Sequence, residues 1–217
     1  MALIRISLVI YYLLLLVSFI IGCKNVKSKS SDFFLVILLL FTLCSEVLAD
    51  YFRKAFHNNM PVYHFFNPLQ YLLIVLYYNF SLPLLKKMRI GLWLSGFGIL
   101  LGIISTVYFQ NIHEFPSVFL LFEAFCIIVL SMISYFVMFL KEDFEPTRYA
   151  LFWFTSLMLF YWSFTFVIWG MISIFIKELP DDMKFVYPLL SIINFIYYGG
   201  IGIVFLNYKK LIPSGGQ

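Results

Sequence analysis

The sequence predicts an all-α polytopic transmembrane bundle of seven helices, with the N-terminus outside and the C-terminus in the cytoplasm. Three observations carry that expectation. Of the 217 residues, 63% are hydrophobic and only 12% charged, against about 45–50% and about 25% in an ordinary soluble domain. The apolar residues gather into seven runs of about 20 residues or more, the length that crosses about 30 Å of hydrocarbon at about 1.5 Å per residue. Lysine and arginine fall between those runs and favour one side. A mean hydropathy of +0.95 leaves more apolar side chain than one core of this size could hide from water. The same composition excludes disorder, collagen-like repeats and disulfide scaffolds.

The chain reads as a single transmembrane domain over residues 1–217, and each run ends at recognisable punctuation. The first covers residues 3–22 and gives way to the lysine- and serine-rich stretch 24–32. The second, 33–52, stops before His57, Asn58 and Asn59. Pro61 opens the third, 62–82, and Pro83 with Lys86 and Lys87 closes it. The fourth, 90–109, is followed by the polar residues 111–114, and Pro116 opens the fifth, 116–140. The stretch 141–148, with Pro146, precedes the sixth, 149–176; Pro180, Asp181 and Asp182 precede the seventh, 185–206. Helices fit these runs, because barrel strands would be about ten residues long and would alternate polar with apolar. The loops have no room for a second domain, and no GxxxxGK or GxGxxG phosphate loop occurs.

Orientation follows from the tendency of cytoplasmic loops to keep positive charge. The first, third and fifth loops and the C-terminus hold ten basic residues against four acids, and the opposite side holds five against seven. The net charge of +4 is therefore a topology signal, and no nucleic-acid partner is expected. Arg5, an apolar run and Cys23 look like a lipoprotein signal, but cleavage there would invert every later loop against the charge bias. Cys23, Cys44 and Cys126 show no paired spacing and read as small apolar residues.

Ionisable groups within a span are costly and lead to function by default. Glu46 lies six residues below the outer end of the second predicted span, and Glu123 seven below that of the fifth, so both sit about 10 Å deep. His64, Asn67 and Tyr71 follow one stripe of the third span, and Ser191 and Asn194 share a face of the seventh. Asp50 sits one turn above Glu46 at the outer mouth. The inner halves of these helices are nearly all Leu, Ile, Val and Phe. A polar pocket open to the outside gives that asymmetry, with Tyr161, Trp162 and Trp169 as aromatic walls. The competing account is helix-to-helix hydrogen bonding at about 0.6–2 kcal/mol per contact. Two carboxylates and a histidine permit acid–base work. Neither a metal nor a cofactor is expected, since only one of the three histidines lies in a span, and no HExxH or GxSxG occurs to support intramembrane hydrolysis.

Gly98 and Gly102 on the fourth span have the spacing of a tight helix contact. Tyr77, Tyr78, Tyr108, Tyr149, Tyr187 and Tyr208 read as interfacial belts. A rhodopsin pigment is excluded, because the last span has no lysine at mid-depth. The stretch from Asn58 to Pro68, with residues 150–153 and 194–198, resembles a group of small bacterial seven-span membrane proteins without an established activity. That resemblance covers most of the chain loosely and implies the bacterial inner membrane. The expected function is binding or sensing of a small molecule or lipid at the outer pocket, with the signal passed to a membrane or cytoplasmic protein partner. An intramembrane enzyme acting on a lipid-like substrate is the first alternative and a transporter the second.

Overall fold

The computed structural model describes residues 2–140, 145–177 and 183–214, with side chains for 7–140, 145–172 and 185–214. The predicted break at Pro180, Asp181 and Asp182 lies outside the described residues, as do the side chains of Arg5, Lys177 and Lys184. Among the described residues the chain is helical without a strand, and Tyr149 meets Ile212 in an isolated bridge. In lipid, a helix satisfies its own backbone polar groups within one segment.

The long helices are α1 (Ala2–Asn25), α2 (Phe33–Phe56) and α3 (Met60–Ser81), then, after the short α4 (Pro83–Met88), α5 (Ile90–Ile104), α6 (Ser117–Phe139), α7 (Ala150–Lys177) and α8 (Met183–Leu206). A π-turn, Ser105–Phe109, continues α5. Six segments are long and apolar enough to cross a membrane: Ser7–Asn25, Phe33–Phe56, Ile90–Phe109, Ser117–Phe139, Ala150–Ile172 and Phe185–Leu206. The third predicted span is not among them. Its helix α3 has 22 residues, but it packs against α2, α5 and α6 and buries His64, Asn67, Gln70, Asn79 and Ser81. Much of its surface faces protein and only Phe65, Leu69 and Phe80 are exposed among its apolar side chains, so its hydropathy falls.

Helices α1, α2, α3, α6, α7 and α8 touch in that order and α8 returns to α1, closing a ring, while α5 lies outside against α3. The α3–α5 contact is close because small residues line it. A Cβ on Gly98 would lie 2.0 Å from Cε1 of Tyr71, and one on Gly102 2.7 Å from Cγ of Pro68. The predicted small-residue spacing is therefore an internal contact.

Four local differences from the sequence reading have physical causes. Helix α2 runs one turn past residue 52, because Asp50 pairs with Arg53 and with Lys54, the latter at 2.5 Å, and His57 closes the helix in the left-handed conformation. Glu46 is therefore ten residues from that end and close to the helix middle. The half predicted to be inner is not purely apolar: Tyr78 shares a hydrogen bond with Ser131 (2.8 Å), Ser134 with Thr155 (3.2 Å) and Tyr135 with Ser156 (2.6 Å). Tyr77, Tyr78 and Tyr208 are buried in the core, whereas Tyr108 and Tyr187 are exposed in the manner of a belt. Cys23 and Cys44 lie on the outer surface of the bundle, and all three thiols are free.

Candidate functional site

Glu46 projects from α2 toward α1 and α3. The Tyr63 hydroxyl donates to Glu46 Oε2 at 3.5 Å, and the Tyr12 hydroxyl donates to the Glu46 main-chain oxygen at 3.4 Å. Asp50, one turn on, is neutralised by its two basic neighbours. These contacts keep Asp50 at the helix end and leave Glu46 as the carboxyl that faces the interior.

Glu123 is the most isolated polar group of the bundle. Its side chain has no exposed surface, and neither carboxyl oxygen has a hydrogen-bond partner among the described residues. Tyr71, Cys126, Tyr161, Tyr197 and Tyr198 lie within electrostatic reach of it. Tyr161 and Tyr198 are within electrostatic reach of Glu46 as well, so phenols of α7 and α8 neighbour both acids. Tyr161 stacks on Tyr197 at 4.3 Å, and Tyr11 of α1 meets Tyr198 at 5.7 Å. The Tyr197 hydroxyl and Trp162 Nε1, both buried, have no partner among the described residues either. Buried polar groups are otherwise almost always hydrogen-bonded, and leaving one unpaired costs about 1–3 kcal/mol.

The remaining candidates are placed differently. Both ring nitrogens of His64 are engaged, one with Thr106 Oγ1 at 2.9 Å and the other with the Glu114 main-chain oxygen at 3.0 Å. That histidine joins α3 to the π-turn and to the loop before α6. Asn67 is buried one turn below, and its Nδ2 has no partner among the described residues. Tyr71 donates to the Leu94 main-chain oxygen at 3.2 Å. Ser191 donates to Tyr187 of its own helix at 2.9 Å, and Asn194 is half-buried; neither bonds to Glu46 or Glu123 among the described residues. Trp169 packs on Phe115 at 5.2 Å. The structure thus groups the two acids with tyrosines and sets His64 in a separate cross-link.

Sequence reasoning missed Tyr63, which no pattern marks, and Tyr11, Tyr12 and Tyr197, whose signal was the doublets 11–12 and 197–198 within apolar runs. It also missed a second polar cluster at the opposite end of the bundle. Asp32, without exposed surface, accepts through Oδ2 from the Tyr208 hydroxyl (2.5 Å), the Ser214 amide (2.9 Å) and Ser30 Oγ (3.1 Å). Burial pushes its carboxyl above the ordinary carboxylate range, and the bonds from Ser214, Tyr208 and Ser30 pull partly back.

A folded-state value above the unfolded one means that Asp32 stabilises fully below the ordinary carboxylate range. That contribution is lost as pH rises through the raised value. Asp32→Asn is expected to flatten this pH dependence in thermal melts. Asp32→Ala is expected to cost about 1–3 kcal/mol and to speed amide exchange in residues 208–214.

Fold and composition together define a multi-pass helical membrane protein, with bilayer lipid around its apolar helices. No known protein family, curated protein or solved structure matches the chain.

Proposed function

We propose that the chain crosses the bacterial inner membrane seven times with its N-terminus outside, and that the outer half of the bundle binds or senses a small molecule or lipid. Helix α3 is the seventh crossing in this reading. Its 22 residues rise about 33 Å, and the charge bias of the loops supports the orientation. The observation that carries the binding role is Glu123, buried without a hydrogen-bond partner among the described residues beside phenols of α3, α7 and α8. An unpartnered carboxyl at that depth calls for a donor from outside the chain. A ligand bearing a hydroxyl or amine supplies it, with the tyrosine rings packed on its apolar part.

The connections between helices are short, so a change at the ligand leaves through the helix ends to a partner protein. The enzyme alternative is weaker, because His64 has both nitrogens committed and faces neither acid. The experiment is native mass spectrometry of protein purified in mild detergent. A discrete adduct of one small molecule or lipid is expected on wild type and absent from Glu123→Gln. Identical adducts on both proteins contradict the reading.

A further inference from the structure

At the end of the bundle opposite the two acids, the loop from α1 to α2 meets the start of α4, and a cleft of about 310 Å³ opens between them. Its floor is Ser31 and Ser214, both buried and locked together: Ser31 Oγ donates to the Ser214 main-chain oxygen at 2.8 Å, and Ser81 Oγ donates to Ser31 Oγ at 3.0 Å. Lys29 and Lys86 stand on its walls with Ser28 and Ser30. Both lysines are exposed, and among the described residues no carboxylate pairs with either. Asp32, next to Ser31 in the chain, is engaged elsewhere: its Oδ2 accepts from three donors and the residue has no exposed surface.

The remaining wall is apolar. Phe34 and Phe80 stack at 5.6 Å with ring planes 11° apart, and Phe80 is 39% exposed. Next to the cleft, α4 presents Leu84 and Met88, both exposed and four residues apart on one face, with Lys86 and Lys87 between them. A short helix with that distribution lies at the boundary of hydrocarbon and headgroups, which sets Lys86 at headgroup level.

From this geometry we infer that the cleft is a binding site for the phosphate headgroup of an anionic phospholipid, held between Lys29 and Lys86 with its acyl chain along the Phe34–Phe80 pair. Two ammonium groups without a carboxylate partner among the described residues are the phosphate donors, since Ser30 and Ser31 already donate to Asp32 and Ser214, and the adjoining ring pair is what a free anion would not use. The cleft volume is at the small end of ligand sites, about 300–1,000 Å³, and so fits a headgroup while the chains remain in the bilayer. The site is independent of Glu123 and of the membrane orientation, since both leaflets present phosphate.

The test compares wild type with the double variant Lys29→Gln, Lys86→Gln, each reconstituted in nanodiscs of phosphatidylcholine containing a minor fraction of phosphatidylglycerol, with lipid retention read by native mass spectrometry. Both side chains are exposed, so the melting temperature is expected to stay at the wild-type value and serves as the folding control. Wild type is expected to retain phosphatidylglycerol in preference to phosphatidylcholine. The variant is expected to lose about 30-fold of that preference, the product of two lysine contacts at the surface. Unchanged preference in the variant overturns the site. A parallel titration with inorganic phosphate separates the sources: lysine-dependent phosphate binding without any preference for phosphatidylglycerol overturns the lipid assignment in favour of a soluble phosphate.

Discussion

Glu123→Leu is expected to melt higher than the ligand-free wild-type protein and, as purified, to carry no bound ligand. The wild-type carboxyl is fully buried with no partner on either oxygen among the described residues. Groups of that kind cost about 1–3 kcal/mol of stability when left unpaired. Leucine is close to glutamate in length and puts methyl groups against the apolar neighbours on α6, Leu120 and Ile127. Recovering about 1–3 kcal/mol corresponds to a rise of roughly 2–4 °C per kcal/mol in a chain of this size. Glu123→Gln keeps an unpaired amide in the same place and is expected to gain nothing. The contrast separates two accounts of the acid. A residue kept for packing stabilises its fold, so replacing it with leucine should lower the melting temperature. A residue kept for a ligand is a local liability, and leucine should raise it. The measurement is thermal unfolding in detergent with ligand stripped from both proteins.

The second large effect is expected at Gly98. Leucine there must place its Cβ 2.0 Å from the Tyr71 ring, which is fully buried and held to the Leu94 main-chain oxygen. The ring has nowhere to turn, so α5 must separate from α3. Overpacking in well-filled cores costs about 1–3 kcal/mol and more where backbone must move, and Gly98→Leu is expected at or above the top of that range. Gly96 is the internal control. It lies two residues away on the same helix, and a Cβ on it would meet nothing within 4 Å. Gly96→Leu is expected to melt near wild type, because it points away from α3. Equal melting of the two variants would mean that the α3–α5 contact is not as close as described.

Much of the helix count was legible because lipid makes a simple demand on sequence: each crossing needs a long apolar run. That same demand weakens where protein, not lipid, is the neighbour. Helix α3 packs against α2, α5 and α6 over much of its surface, so it carries buried polar residues and falls below the apolarity of the other six. The extension of α2 to Phe56 rests on the ion pairs of Asp50, which hydropathy does not register. Glu46 and Glu123 stood out as acids inside apolar runs. Their tyrosine neighbours did not, because tyrosine in a membrane chain marks either an interface or a core, and only packing decides. Tyr77 and Tyr208 show the ambiguity plainly: both look interfacial by position, yet one shares a hydrogen bond with Ser214 and the other donates to Asp32. The Asp32 cluster joins residues more than 170 positions apart, and no local pattern announces such a pair.

The claim on which the rest depends is that Glu123 meets a group that does not belong to the chain. An experimental map of the purified protein in nanodiscs tests it most directly. Connected non-protein density larger than a water, within about 2.5–3.2 Å of a Glu123 carboxyl oxygen, is the predicted result. A carboxyl bonded only to protein groups, or to isolated waters, would contradict it.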